Sequence, residues 1–302
     1  MAEALTKTDL QGALPLKARG KVRDLYEIDD KTLLFVATDR ISAYDVIMEN
    51  GIPDKGKLLT LCTKAWFKIL QEAIPSLRTH FITLDLPPQI PESLRPALQN
   101  RSMQVRKYEV FPIEAIVRGY ITGSAWKEYQ KSGTVHGIQV APDLKESQAF
   151  PDGPIYTPST KAELGQHDEN IHPDEAVKIV GEKYASKIAS LAISLYHAAH
   201  AYAYNRGLII ADTKFEFGLD PETDEVVLVD EVLTPDSSRF WPKDRYVIGQ
   251  GQESFDKQYL RDWLTSQGLK GKEGVKMTEE VALKTAEKYK EAWEIITGGG
   301  EL

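Results

Sequence analysis

The side chains best suited to chemistry lie in the stretch 208–241. Side chains alternate between the two faces of a strand, so Asp212, Lys214 and Glu216 are expected on one face of a strand. In some registers of the strand that follows, Asp230 comes to the same side as Glu216. Two carboxylates beside a lysine suit a magnesium ion that holds nucleotide phosphates. A strand whose charged face is simply solvated fits the same spacing, and that alternative stays open here.

A second candidate site follows a predicted strand at 113–118. Alternation puts Glu114 and Arg118 on one face of this strand, and Ser124 follows where a turn leads into a predicted helix. We interpret Ser124 as the N-cap of that helix. A helix N-terminus with a hydroxyl, next to an arginine, would bind a phosphate monoester. A plain capped helix without a ligand is the alternative.

Ionisable residues also gather between residues 135 and 170. This stretch is rich in proline, glycine and polar residues, and it is too long for a simple connection, so it predicts active-site loops. Lys161 and Asp168 lie within it. His167 and His172 lack the spacing of a zinc site, and no cysteine partners them.

Length, charge and cysteine content narrow the class of protein. A chain of 302 residues can hold one large domain or two closely packed ones. Its net charge of -8 argues against a general role in binding nucleic acid or membrane surfaces. The single cysteine excludes an internal disulfide, and we find neither a signal peptide nor an apolar run of membrane-spanning length. We therefore expect a cytoplasmic protein.

The elements expected to position these residues include both strands and helices. Residues 20–38 predict a β-hairpin, in which Lys21 follows a lone glycine that is only a weak signal for a phosphate-binding loop. Helical periodicity is present at 58–69 and 188–202. The second of these helices leads directly into the strand of the first candidate site. A last helix is predicted at 278–296, on the surface, because its charges alternate in sign.

Two long segments resemble the signatures of the SAICAR synthetase family. They are FPIEAIVRGYITGS at 111–124 and IIADTKFEFG at 209–218, and neither contains a substitution. The chain is most similar to the fungal form of the family. Two long motifs in the right order are a specific signal, and the similarity extends to flanking segments at 20–24, 38–45, 159–170, 230–241 and 256–264.

The resemblance implies an ATP-dependent ligase of de novo purine biosynthesis. Such an enzyme condenses carboxyaminoimidazole ribotide (CAIR) with L-aspartate to give SAICAR, ADP and phosphate. The carboxylate of CAIR is conjugated to an electron-rich ring and is a poor electrophile. Phosphoryl transfer from ATP would give an acyl phosphate that the aspartate amine attacks, although phosphorylation after amine attack is a second order of events. Positioning and charge neutralisation would be the main work of the protein.

The family's fold is implied in the same way. We expect a two-lobed α+β fold, with a β-rich N-terminal lobe at 1–108 that covers ATP. A larger α+β lobe at 109–302 would hold the magnesium, CAIR and aspartate sites together with the C-terminal helices. ATP would lie in the cleft between the lobes.

The resemblance also implies a role for individual residues. The implied roles are magnesium binding by Glu216 and Asp230, catalysis by Lys214 and Asp212, ATP binding by Lys21, Arg106, Lys107, Tyr108 and Lys214, CAIR binding by Arg118, Ser124 and Arg239, and aspartate binding or loop closure by Lys161 and Asp168.

Two other functions use the same residues. A phosphotransferase would transfer phosphate to a hydroxyl or acid without requiring aspartate. A nucleotide-binding module without activity is disfavoured, because such a module need not retain Asp212, Lys214, Glu216, Asp230 and Arg239 together. We expect only small-molecule partners, with neither nucleic acid nor membrane, and a monomer rather than an oligomer.

Overall fold

The computed structural model describes residues 3–161, 168–255 and 257–299, so His167 lies outside the described residues. The strands are β1 (Leu16–Arg19), β2 (Arg23–Asp29), β3 (Thr32–Ala37), β4 (Ser42–Ala43), β5 (Val46–Ile47), β6 (Phe81–Thr83), β7 (Ser102–Arg106), β8 (Glu109–Val110), β9 (Ile113–Arg118), β10 (Thr134–Val135), β11 (Ile138–Gln139), β12 (Ile155–Tyr156), β13 (Ser159–Thr160), β14 (Leu208–Asp220), β15 (Glu225–Val229) and β16 (Ser238–Pro242).

The helices come mostly in the second half of the chain. They are α1 (Lys55–Ala73), α2 (Arg95–Leu98), α3 (Gly123–Ser132), α4 (Pro173–Val180), α5 (Glu182–Tyr204), α6 (Gln258–Ser266) and α7 (Glu279–Thr297), with one 3₁₀ turn at Lys243–Arg245. Within the described ranges, none of these helices combines the length and the apolar character that a membrane crossing needs.

Two sheets of antiparallel strands organise these elements. The first has five strands in the order β1-β2-β3-β7-β6, and the second has seven strands around β14. Strands β9 and β16 flank the first part of β14, and β15 and β8 flank the second part. Sheets of this kind with helices packed on them confirm the predicted α+β class. The boundary between residues 108 and 109 falls between β7 and β8, and a division into lobes there stays a prediction.

Side chains of strand β14 alternate between an apolar and a polar face of the second sheet, as the sequence predicts. Phe215 and Phe217 are buried with Ile188 and Leu195 of α5 in the main core. Full burial of a phenylalanine stabilises the fold by about 1.5–3 kcal/mol. This packing fixes the strand's orientation, so its polar residues face away from α5.

Helix α3 begins earlier than predicted, so the interpretation of Ser124 as its N-cap is wrong. Thr122 occupies the N-cap position without a side-chain capping hydrogen bond, and Ser124 is the second helical residue. Gly123 has a φ of 60°, which favours glycine. A Cβ at this position would come within 2.6 Å of the Arg239 guanidinium, so a glycine here leaves room for the close approach of Arg239 to the start of the helix.

Helix α7 is not the surface helix that its charges predicted. Tyr289, Trp293 and Ile296 are buried. Tyr289 and Trp293 pack with Leu58 and Cys62 of α1. Tyr289 and Trp293 are four positions apart, so they lie on one face of the helix, and the charged residues lie on the opposite face. Cys62 lies in this core, and burial raises the pKa of its thiol.

Candidate active site

A cleft of about 1430 Å³ runs between the two sheets. All of the predicted site residues line it except Arg118 and Asp212, which are buried. Asp212 pairs with Arg118 and with Arg239 at the wall of the cleft. The lining residues among them are Lys21, Arg106, Lys107, Tyr108, Ser124, Lys161, Asp168, Lys214, Glu216, Asp230 and Arg239.

Asp212 is clamped between two arginines from neighbouring strands. In the sheet register it lies opposite Arg118 of β9 on one side and Arg239 of β16 on the other. Arg118 Nη1 donates to Asp212 Oδ2 at 2.9 Å, and Arg239 Nη1 donates to the same oxygen. Two guanidinium groups share one carboxylate, so this corner of the cleft has a net positive charge and suits an anion.

Further polar contacts hold Arg118 in place. Its guanidinium donates to Thr157 Oγ1 at 3.1 Å, and Ser124 Oγ and His136 Nε2 each lie 3.5 Å away. His136 Nδ1 lies 2.9 Å from the Pro158 carbonyl, which can only accept, so Nε2 is the acceptor of a neutral ring. Burial and the charge of Arg118 lower the pKa of His136 to about 4. Sequence reasoning missed His136, which carried no signal beyond its place in the loop region.

Lys214 and Glu216 belong to a second charged network. Lys214 Nζ donates to Glu114 Oε1, and Lys161 Nζ donates to Glu216 Oε2. Burial opposes ionisation of Glu216, but the charges of Lys161 and Lys214 lower its pKa below the ordinary value. Glu114 has a pKa raised by burial. We had not assigned Glu114 a role, although alternation along β9 placed it on the face of Arg118.

Asp230 lies directly after β15, with a φ of 64°. Its carboxylate pairs with Arg23 Nη2 at 2.8 Å. Burial raises the pKa of Asp230 to about 6, and the charges of Glu216 and Glu231 act in the same direction while Arg23 opposes them. Sequence reasoning gave no role to Arg23. The strand register places Glu216 opposite Val229, the residue before Asp230, and each of the two carboxylates has its own cationic partner.

The segment 106–108, predicted to bind ATP, connects β7 to β8. The N–H of Arg106 donates to the carbonyl of His80 at 2.7 Å, and that of Lys107 to the carbonyl of Lys31 at 2.8 Å. These donors are therefore used inside the protein. The base of a nucleotide bound here would therefore contact the side chain of Tyr108 or the backbone carbonyl groups of the segment.

The remaining predicted residues lie at the mouth of the cleft. Lys21 Nζ forms an ion pair with Asp45 at 2.7 Å, and both side chains are exposed. Asp168 lines the cleft, and its charge contributes to the raised pKa of Glu114. In the part of the chain that the structure describes, no cluster of three or more His, Cys, Asp or Glu side chains could hold a metal ion by itself.

Comparison with known proteins identifies the family. The sequence model of SAICAR synthetase matches residues 16–278. A phosphoribosylaminoimidazole-succinocarboxamide synthase from Pichia angusta is 61% identical over 299 residues, which are 97% of this chain and 98% of the relative. A solved SAICAR synthase from Saccharomyces cerevisiae, complexed with SAICAR, is 54% identical with a TM-score of 0.89, and the match covers 99% of both chains.

A more distant structure shares the fold. It is a SAICAR synthetase in complex with ADP, 26% identical with a TM-score of 0.70, and the match covers 94% of this chain and 99% of that one. Sequence and fold thus agree over nearly the whole length of the chain. This protein belongs to the SAICAR synthetase family of ligases.

Proposed function

We propose that the cleft condenses CAIR with L-aspartate at the expense of ATP, giving SAICAR, ADP and phosphate. Membership of the family supports this reaction. The strongest support within the molecule is the arrangement along β14. Asp212, with its two arginines, is followed on the same face of the strand by Lys214 and Glu216, which line the cleft. A phosphorylated substrate held at the corner would present its other end to the wall.

We assign the ribotide phosphate of CAIR to Arg118, Arg239 and Ser124. A phosphate can accept paired hydrogen bonds from a planar guanidinium, which a lysine cannot match in geometry. Arg239 lines the cleft, while Arg118 is only 5% exposed. We therefore infer that Arg239 contacts the phosphate directly and that the buried guanidinium of Arg118 adds positive charge without touching it. Asp212 would orient the two arginines.

Glu216 and Asp230 fit the role of magnesium ligands. Burial raises the pKa of Asp230, and the charges of Glu216 and Glu231 act in the same direction, which supports a place for a cation between these carboxylates. Two carboxylates with phosphate oxygens and water would complete the six oxygen ligands that magnesium prefers. When bound, the ion would neutralise charge on the ATP phosphates. Lys161 and Arg23 would have to give up part of their present contacts with these carboxylates.

Lys214 would stabilise the charge that develops during phosphoryl transfer. Burial alone would lower its pKa, but Glu114 and Glu216 raise that pKa above the ordinary value, so the ammonium stays protonated. It holds a position between the ribotide corner and the predicted magnesium ligands. An ammonium there can neutralise the CAIR carboxylate and the acyl phosphate formed from it.

The other substrates are assigned to the remaining walls. ATP would extend from the segment 106–108 toward Lys21, whose exposed ammonium can leave Asp45 to cover phosphates. Lys161 and Asp168 would meet the carboxylate and the amine of L-aspartate. A cytoplasmic location and a monomeric state also stay predictions.

A coupled assay of ADP release tests the proposed function. We expect release to require CAIR and L-aspartate together, and we expect SAICAR to form in equal amount. Replacing L-aspartate by succinate, which lacks the amine, is the matched control and should give no condensation product. Equal ADP release with CAIR alone would instead indicate a phosphotransferase and would rule out the ligase reaction.

A further inference from the structure

The loop between β15 and β16 carries a buried carboxylate that the proposed mechanism does not use. This carboxylate belongs to Asp236, three positions before Arg239. The side chain is only 4% exposed. A buried charge is costly unless it is paired and hydrogen-bonded, so the partners of Asp236 are informative.

Two helices from distant parts of the chain supply those partners. Lys55 Nζ, at the start of α1, donates to Asp236 Oδ2 at 2.6 Å and is fully buried. The hydroxyl of Tyr289, in α7, donates to Asp236 Oδ1. Burial alone would raise the pKa of Asp236, but the charges of Lys55 and Lys257 and the hydrogen bond from Tyr289 hold that pKa well below its ordinary value. Asp236 is thus an ionised anchor.

The anchor is connected to the substrate-binding corner through the backbone. The residue after it, Ser237, accepts a hydrogen bond from the N–H of Lys214 at 3.0 Å through its carbonyl. Strand β16 begins at the next residue and places Arg239 opposite Asp212. The guanidinium of Arg239 lies against Gly123, where no room for a Cβ exists. A displacement of Asp236 would therefore shift the start of β16 and, with it, the position of Arg239.

Tyr289 is well placed to be more than a packing residue. Its side chain is fully buried, and the ammonium of Lys55 lies 5.8 Å from its ring centre. Its helix, α7, begins at Glu279, just after the residues 16–278 matched by the family's sequence model, and the match to the solved Saccharomyces cerevisiae structure covers 99% of both chains. On the strength of the proposed function, we propose that α7 completes the active site and that Tyr289 is a positioning residue, which fixes Arg239 for the ribotide through Asp236.

Removal of a single hydroxyl tests this role. Tyr289→Phe keeps the ring but removes the donor to Asp236. Tyr202→Phe is the matched control, because Tyr202 also docks α7 by one hydrogen bond, from its hydroxyl to the carbonyl of Ile296 at 3.0 Å. We expect Tyr289→Phe to raise the KM for CAIR about fivefold, which is less than the full effect of losing one hydrogen bond to a charged group because the loss acts on CAIR only through Asp236 and Arg239. The control should change this KM less than about twofold.

The pattern across substrates separates positioning from general destabilisation. For Tyr289→Phe, the KM for ATP and kcat should stay within about twofold of the native values. The route from Asp236 ends at Arg239, while the reacting ammonium of Lys214 is held separately by Glu114. Equal increases for all three substrates, or equal effects in Tyr289→Phe and Tyr202→Phe, would reduce Tyr289 to a packing residue. Loss of the CAIR requirement in the native enzyme would instead overturn the proposed function.

A double-mutant cycle tests the route through Arg239. In an Arg239→Ala background, the loss of the Tyr289 hydroxyl should change kcat/KM for CAIR by less than about twofold, because the group it positions is gone. The full fivefold effect in that background would show that Tyr289 acts elsewhere. An unchanged KM for CAIR in Arg239→Ala alone would overturn the route as well.

Discussion

Lys161 donates a hydrogen bond to the carboxylate of Glu216, although the two residues are 55 positions apart in the sequence. The lysine side chain is 39% exposed and the glutamate side chain only 9%, so the ammonium covers a buried carboxylate from the side of the cleft. The same carboxylate is our proposed magnesium ligand. Lys161 and the metal ion would therefore compete for Glu216, and each would favour a different state of the cleft.

The competition predicts that Lys161→Met binds the metal more tightly. Without the Lys161 ammonium, a metal ion has one cation fewer to displace from Glu216. Because the pair is partly exposed and screened, the gain should be modest, about threefold to tenfold in Kd. Titration with Mn²⁺ as a paramagnetic stand-in for Mg²⁺ measures it. Lys178→Met, which breaks an exposed pair with Glu175, is the control. Weaker Mn²⁺ binding in Lys161→Met would contradict the competition.

Glu216→Gln should remove most of the ligase activity. The substitution keeps the size of the side chain but removes the charge that a magnesium ion needs, and we expect kcat to fall at least about 100-fold. The protein should stay folded, because Lys214 keeps its contact with Glu114. Circular dichroism beside the coupled assay separates the two effects. Glu222→Gln changes an exposed carboxylate in the turn after β14 and should be silent. Turnover like the native enzyme's at ordinary magnesium would exclude Glu216 as a ligand.

Asp212→Asn should destabilise the free protein more than the substrate-bound protein. The change leaves two neighbouring guanidinium groups, one of them buried, without a counter-ion, which costs about 3–5 kcal/mol. The phosphate of CAIR would supply the missing charge. Urea unfolding with and without CAIR should therefore show a larger stabilisation by CAIR in the variant than in the native protein.

A matched variant makes the Asp212 prediction specific. Asp224→Asn breaks an exposed pair with Lys183 and should cost less than about 1 kcal/mol, without any change in the effect of CAIR. An equal stabilisation by CAIR in the native protein and in Asp212→Asn would show that the two arginines do not meet the phosphate.

The polar face of β14 could be predicted from the sequence because it depends on local chemistry. Alternation places Phe215 and Phe217 in the core, and this packing leaves Lys214 and Glu216 facing the cleft. The partners of these side chains were not predictable from spacing. Asp212 and Arg118 are 94 positions apart, and only the register of β9 on β14 brings them together.

Two errors have the same physical origin. Ser124 is a good N-cap by residue type, but the helix begins at Gly123, against which the Arg239 guanidinium packs. Helix α7 has a charged pattern, but Tyr289 is fully buried and donates a hydrogen bond to Asp236, 53 positions away in the sequence. In both places tertiary contacts override local preference. The roles assigned to Asp212 and Glu216 came from the family resemblance, whereas their partners Arg118 and Lys161 could be read only from the structure.

Acid should destabilise the protein partly through His136. Its pKa is about 4 in the folded state, because of burial and the charge of Arg118, against 6.5 for a free imidazole. The unfolded chain therefore takes up the proton first, and the stability that the neutral ring contributes above pH 6.5 is lost as the pH falls toward 4. His80, with a pKa lowered to about 3 mainly by burial, adds to the loss in the same interval.

Substitution of His136 by glutamine isolates its share of that loss. Glutamine can still accept from Arg118 but does not titrate, so His136→Gln should lose about 1–2 kcal/mol less free energy of unfolding than the native protein between pH 7 and pH 5. Urea unfolding across this range gives the difference. Between pH 7.5 and 8.5 both side chains are neutral, and the difference between the two proteins should be constant there. Parallel curves from pH 7 to pH 5 would mean that His136 titrates alike in the folded and the unfolded protein, so that burial and the charge of Arg118 do not lower its pKa.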